Sequence, residues 1–258
     1  NFGAFVNNNW TTTIDVDDIY TDFLNAPTAE PGQEWSYSNT NFILLGQVIE
    51  TIENKPLHEV FQEKLFTPMD LQDIHLAFYD TYNKMHLGTW LANGTYLEEP
   101  GRAFMTSAWA AGAIIATPED FARYAYKLYS GELLSSNSYD LMTNTEDLGG
   151  NTRHGLALFE ELYKGNTYYG HGGTTLQNSE MQYSVKRDFS VVTIVIEQGK
   201  ASQANLIQNK LIDLVEEELQ LLSIDQLTAP KLSSIYPNPA NTTLNIATAL
   251  PAYLTLYN

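Results

Sequence analysis

The stretch EWSYSNTNFILLG, Glu34 to Gly46, crowds one tyrosine, two serines and two asparagines in front of an apolar run. From Asn39 onward, apolar residues fall at Phe42, Leu45, Val48, Ile49 and Ile52, and that spacing predicts a helix. The polar entry has two readings. In one, Ser38 or Asn39 caps the helix by accepting an orphan backbone N–H, and Tyr37 packs as a half-buried aromatic. In the other, Tyr37 handles a proton, while the Asn39 amide, two residues on, holds a substrate carbonyl and a lysine at once.

The totals narrow the field. A chain of 258 residues with 43% hydrophobic and 12% aromatic content has ample material for a packed core. A net charge of −18 with 13 Lys and Arg argues against nucleic acid as a partner, because a phosphate backbone is held by clustered cations. The same balance disfavours an anionic membrane surface. The chain has no cysteine, which removes disulfides, thiolate catalysis and Cys-ligated metal. No apolar run approaches the roughly 18 residues of a transmembrane segment. The five histidines, His58, His75, His86, His154 and His171, show no paired ligand spacing, so neither metal nor other cofactor is expected. G-x-S-x-G, Walker and dinucleotide glycine patterns are also missing from the sequence.

Working outward, DVDDIYTDFL (Asp15–Leu24) predicts a short helix started by acids, and Leu57 to Phe66 a second, with Pro56 as its first-turn proline. Residues 70–106 read as loops and short strands. Thr117-Pro118-Glu119-Asp120 combines a cap, a first-turn proline and acids facing the helix dipole, and the helix it starts should stop at Gly131. Beyond Asn151, HGLALFEELY, NTYYGHGG, SEMQYSV and FSVVTIVIE predict an antiparallel sheet of three or four strands. An amphipathic helix from about Gln203 to Leu222, with apolar Leu206, Ile207, Leu211, Ile212, Leu214 and Val215, closes the region.

The second chemical candidate lies in YYGHGGTTLQNSEMQYSV. His171 ends a strand and is followed by Gly172 and Gly173, which let a substrate lie against the strand edge, where backbone N–H groups can meet an oxyanion. The alternative is a hairpin turn carrying a surface histidine.

Three ordered blocks together carry a resemblance that neither motif carries alone. PGQEWSYSNTNFILLGQVIETIENKPLHEVFQEKLFTPMDL resembles the Y-x-N region of serine β-lactamases in their class C, DD-peptidase and esterase branch. SAWAAGAIIATPEDFARYAYKLYSGELL and YYGHGGTTLQNSEMQYSV are similar to two later segments of the same family. The resemblance implies an α+β fold of β-lactamase/transpeptidase type, an antiparallel sheet flanked by helices plus a helical subdomain. It also implies a serine hydrolase working through an acyl-enzyme on a small-molecule ester, amide or peptide substrate. Carried across, Tyr37 and Asn39 are the Y-x-N pair, and His171 with Gly172 and Gly173 stands for the K-T-G or H-x-G triad. The Thr174 N–H is then one half of the oxyanion hole, the serine's own N–H being the other.

The departures are specific. No S-x-x-K occurs; Thr81-Tyr82-Asn83-Lys84 has the spacing but follows Tyr37, where the family places its nucleophile well before the tyrosine. Since 36 residues precede Tyr37 and the first residue is Asn1, not Met, the nucleophile is expected upstream of this chain, leaving these residues inactive alone. Gly172 replaces a hydroxyl residue, and Gln177 stands where the family has glycine. A non-catalytic surface-binding protein that kept the fold is the alternative.

Composition divides the chain into 1–222 as the β-lactamase-like domain, 223–232 as a linker and 233–258 as the start of a β-rich module. SSIYPNPANTTLNI resembles the opening of carboxy-terminal sorting domains of type IX secretion substrates in Bacteroidetes. That resemblance implies the type IX machinery as a partner, passage through the periplasm, and a secreted or outer-surface location.

Overall fold

The computed structural model describes residues 11–23, 29–30, 32–79, 88–98, 101–147, 152–222, 232–237, 243–248 and 253–257. The 223–231 part of the expected linker, the Thr81–Lys84 tetrad and Leu24 lie outside the described residues. The chain separates into two compact units: Asn1–Gly88 with Tyr96–Ala116, and Thr89–Thr95 with Thr117–Asn258.

The first unit is mostly helical. It contains α1 (Val16–Phe23), α2 (Asn39–Glu53), α3 (Leu57–Phe61) and α4 (Arg102–Ala108), with short strands β1 (Ile74–Leu76), β3 (Tyr96–Leu97) and β4 (Ile114–Ala116). β1 and β4 pair antiparallel. Helix α3 continues over Gln62–Phe66 with wider π-helical winding. Pro56 sits at the N-cap of α3, one position before the expected first turn, and the Glu50 carboxylate accepts the Leu57 N–H at 2.6 Å. The core gathers Ile14, Ile43, Leu57, Leu76, Trp109 and Ile115.

One close packing fixes α2. A Cβ on Gly46 would lie 2.6 Å from the Ala110 Cβ and 2.9 Å from the Trp109 ring, so only glycine lets the helix approach this far. Trp109 adopts φ 36°, a sparsely populated backbone conformation for a bulky residue, and is held there with its ring buried. The buried side of α2 therefore runs through Ile43 and Gly46. Leu45, Val48 and Ile52, expected on the core side, are exposed together with Leu44. Sequence periodicity marks an apolar face, but it does not say which neighbour claims it.

The second unit is built on a six-stranded antiparallel sheet in the order β10-β9-β8-β7-β6-β5. Its strands are β5 (Glu146–Asp147), β6 (Thr152–Gly155), β7 (Leu158–Tyr163), β8 (Asn166–Thr174), β9 (Asn178–Ser184) and β10 (Phe189–Val195). The expected three or four strands become six for two reasons. HGLALFEELY breaks at Leu156-Ala157, with Ala157 at φ 58°, and Glu146–Asp147 adds an outer strand.

Helices cover both faces of the sheet. β10 shows the alternation: Phe189 and Val191 pack with Leu211, Ile212 and Val215 of α7 (Ala201–Leu222). Val192 packs with Ala122 and Ala125 of α5 (Pro118–Tyr129) and Met142 of α6 (Ser136–Thr143). Ser190 donates to the Ala122 carbonyl at 2.8 Å, and Thr193 donates to Gln208 at 2.6 Å. Five consecutive buried residues on β10 thus face two helical layers. α7 uses Leu211, Ile212, Val215 and Leu219 inward, whereas Leu206, Ile207 and Leu214, expected on the apolar side, are exposed.

α5 starts as its sequence dictates: Thr117 accepts the Asp120 N–H, Pro118 opens the first turn, and Gly131 follows the end at φ 84°. Strand β2 (Thr89–Trp90) belongs to this unit. Trp90 exchanges backbone hydrogen bonds with Ile196 and Gln198, and the buried Thr89 hydroxyl sits 3.0 Å from both the Leu176 and the Ile196 carbonyls. Near the carboxy terminus, β11 (Leu232–Pro237), β12 (Thr243–Thr248) and β13 (Tyr253–Tyr257) form a three-stranded antiparallel sheet.

Gly46→Ala is expected to destabilise the protein by about 1–3 kcal/mol, because the added methyl overlaps Ala110 and the Trp109 ring. Equilibrium urea unfolding followed by tryptophan fluorescence measures this, and an unchanged midpoint would contradict the packing described.

Candidate active site

The candidate residues lie in two places, one in each unit. In the first unit, residues 34–37 lead into α2. Ser38 occupies the N-cap with φ −146° and ψ 123°, yet its hydroxyl makes no capping bond. The reading in which a side chain caps this helix therefore fails at Ser38. Asn39 is the first helical residue, and both it and Tyr37 present their side chains to solvent. Tyr37 is 48% exposed, the half-buried position that the structural alternative describes.

In the second unit, the four remaining candidates share β8. Its ladder with β7 runs from Tyr163↔Asn166 to Phe159↔Gly170 and ends there. Its ladder with β9 continues to Thr174↔Asn178. His171 to Thr174 are therefore paired by strand β9 on one side and left unpaired by β7 on the other. His171 thus sits on one arm of the β8–β9 hairpin, as the rival reading has it, with its β7 side open.

His171 leans towards β7 and stacks on Phe159, ring centroids 4.4 Å apart with planes 19° from parallel; His154 meets the same phenyl edge-on at 4.8 Å. The His171 Nδ1 is 2.7 Å from the Gly172 carbonyl, which only accepts, so Nδ1 carries the proton and donates. In the neutral ring Nε2 is then the nitrogen with an accepting lone pair.

Gly172 lies opposite Glu180 on β9, and a Cβ on Gly172 would meet the Glu180 carboxylate at 2.6 Å. Gly173 lies opposite Ser179, whose hydroxyl is 2.9 Å from the same hypothetical position. Burial, with the neighbouring Glu161 charge adding to it, pushes the Glu180 carboxyl up to about 7. The hairpin beyond is closed by a bond from the Thr175 N–H to the Gln177 carbonyl at 2.9 Å. Gln177 is not among the residues with positive φ, so this turn runs without the glycine that the sequence pattern leads one to expect. The buried Asn178 donates to the Glu197 carbonyl and holds the start of β9.

Sequence reading missed Phe159, Glu180, Thr89 and Asn178. Glu180 had a signal: the alternation of SEMQYSV puts it one cross-strand step from the glycines once the turn is placed at Thr175–Gln177. Thr89 had none, because its partners are 87 and 107 residues away. Among the described residues no cluster of three or more His, Cys, Asp or Glu forms a metal site, and no helix is long and apolar enough to cross a membrane.

A helical unit and an antiparallel sheet flanked by helices define an α+β protein of the β-lactamase/transpeptidase type. The chain belongs to the family described as Beta-lactamase, whose model matches residues 9–214. PbpX of Bacillus subtilis (strain 168), named as a penicillin-binding protein, is 23% identical over 208 residues, which are 80% of this chain and 51% of that one. A D-stereospecific amidohydrolase from Streptomyces sp. matches with a TM-score of 0.69 and 22% identity, over 80% of this chain and 64% of its own. D-amino acid amidase from Ochrobactrum anthropi SV3, complexed with D-phenylalanine, matches with a TM-score of 0.69 and 19% identity, over 80% and 65%. The chain thus spans about half the length of PbpX and just under two thirds of each amidase.

The raised carboxyl of Glu180 has a sign for stability. A carboxyl harder to ionise when folded contributes stability below its ordinary range near 4.5, and that contribution is lost as pH rises through about 7. Glu180→Gln is therefore expected to raise the urea midpoint at pH 8 relative to the parent, with little difference at pH 5. Equal effects at both values would contradict the assignment.

Proposed function

We propose that the protein is an exported serine hydrolase that acts on an ester, amide or peptide through an acyl-enzyme. The observation that carries this reading is the end of the β7–β8 ladder at Gly170, with a His-Gly-Gly-Thr segment running on beyond it. A strand edge unpaired by a neighbouring strand, floored by glycines, accepts an extended acyl group alongside it. The exposed Tyr37-Ser38-Asn39 entry of α2 supports the same reading, because it leaves two polar side chains uncommitted to capping. Family membership and relatives named as amidases add to it.

In this scheme a serine Oγ attacks the substrate carbonyl. Tyr37, with a lysine, takes the serine proton and returns it to the leaving group. Asn39 donates its amide to the substrate carbonyl and orients the lysine. The oxyanion meets the Thr174 N–H and the serine's own N–H. His171, its Nδ1 donating to the Gly172 carbonyl, lines the same edge. Serine and lysine are assigned to an S-x-x-K segment preceding Asn1, since these 258 residues contain none. The carboxy-terminal Tyr236-Pro237-Asn238-Pro239 module is assigned to recognition by the type IX secretion machinery, with release or anchoring at the outer cell surface.

A fluorophosphonate probe is expected to add one mass equivalent to the full-length protein and none to the 258-residue chain. Tyr37→Phe and Asn39→Ala should each slow acylation of the full-length protein by about 10²–10³-fold while it stays folded. Absence of acylation of the full-length protein sinks the reading. For export, deletion of residues 233–258 is expected to keep the protein inside a host with type IX secretion; surface immunolabelling that persists would refute that assignment.

A further inference from the structure

We propose that Glu180 makes the acyl-binding edge of β8 selective for substrates carrying an ammonium group, against those carrying a carboxylate. This rests on the acyl-enzyme reading above, and it names a substrate class and a specificity residue for that same edge.

The argument begins with two glycines. Gly170 and Gly172 alternate on β8, opposite Gln182 and Glu180 of β9, so all four positions share one face of the sheet. With no side chains on β8, those of β9 fold across it. A Cβ on Gly170 would lie 3.0 Å from Gln182 Cγ, and one on Gly172 would lie 2.6 and 3.1 Å from the two Glu180 carboxylate oxygens. Glu180 therefore reaches over the backbone of the His-Gly-Gly segment, towards the side that β7 has left.

What surrounds this carboxylate is one-sided. Glu161 of β7 faces the same region, and its own carboxylate is occupied by the Gln182 amide N–H at 2.6 Å. That bond leaves the Gln182 Oε1, in a side chain more than nine-tenths buried, without a donor. The helix packed on this face presents Gln208, whose oxygen accepts from Thr193 and whose amide donates to the Val191 carbonyl. Among the described residues, no lysine, arginine or histidine pairs with Glu180.

The face thus holds two carboxylates and an orphan acceptor, with the Gln182 and Gln208 amides already committed and His154 packed edge-on to Phe159. A buried acceptor without a donor is costly, and a carboxylate without a counter-charge repels anions. The complement is an alkylammonium, one positive charge with three N–H donors. An acyl group with a free amine, as in an aminoacyl ester or amide, supplies it. A substrate carboxylate over Gly172 meets the charge of Glu180.

The test uses the full-length protein and three size-matched nitrophenyl esters whose acyl chains end in an ammonium, a methyl or a carboxylate, at pH 8.5, where Glu180 carries its charge. The ammonium ester is expected to exceed the methyl ester in kcat/KM by about 10-fold, and the carboxylate ester to fall at least as far below it. Glu180→Gln should bring the three within about threefold of one another. A wild-type order without charge preference, or a Glu180→Gln variant that loses all three activities equally, overturns the proposal while the acyl-enzyme reading stands. If no ester is hydrolysed, the catalytic reading fails by itself. Titration with benzylamine and with benzoate, followed by NMR shifts of β8 and β9 amides, then decides: benzylamine binding weakened by Glu180→Gln upholds the site, and equal or absent binding of the two removes it.

Discussion

The antiparallel ladder between β8 and β9 is the contact on which the second unit depends. Backbone groups buried without partners are expensive, so a strand must be paired wherever it is covered. β8 is paired on both sides as far as Gly170 and by β9 alone thereafter. That single change along one strand separates its doubly paired half, with the buried Tyr168 reaching Glu216 of α7, from its open half at His171–Thr174. β9 is held in turn at its start by Asn178 and through β10 by both helical layers, so the open segment has a rigid backing.

In the first unit the corresponding constraint is the approach of α2 to Trp109. A helix places its first residues only as well as its body is held. The exposed residues Tyr37 and Asn39 lie at the start of a helix whose body is held at Ile43 and Gly46. An exposed polar pair at the mouth of a well-anchored helix combines access for a ligand with a defined direction.

Much of the architecture was legible in the sequence because local chemistry and tertiary structure agreed. The Thr117-Pro118 start, the Gly131 stop, the α2 start at Asn39 and the four apolar strand segments all follow from caps, turns and periodicity. The failures have a common cause. Leu45, Val48 and Ile52 on α2, and Leu206, Ile207 and Leu214 on α7, are apolar at the right spacing but lie away from the side their helix buries. Burial is decided by distant partners such as Trp109, which periodicity cannot see. The candidate site rests on motifs, Tyr37-x-Asn39 and His171-x-Gly173, whose surroundings the sequence does not show. Phe159 beneath His171 and Glu180 over Gly172 follow from strand register, which the sequence specifies only once the β8–β9 turn is located.

The distance in sequence over which the first unit closes has a consequence for how the chain is made. The Ile14 N–H donates to Thr106 across 92 residues, and Gly46 finds its counterpart in Trp109. Neither contact exists until the ribosome has passed position 109, so the Tyr37 helix emerges long before anything can hold it. The strands from β6 to β10 follow one another as neighbouring hairpins, which close small loops at low entropic cost. Synthesis therefore leaves the Ile43–Gly46 side of α2 in solvent until Trp109 arrives, and that interval is when a nascent chain most needs a chaperone.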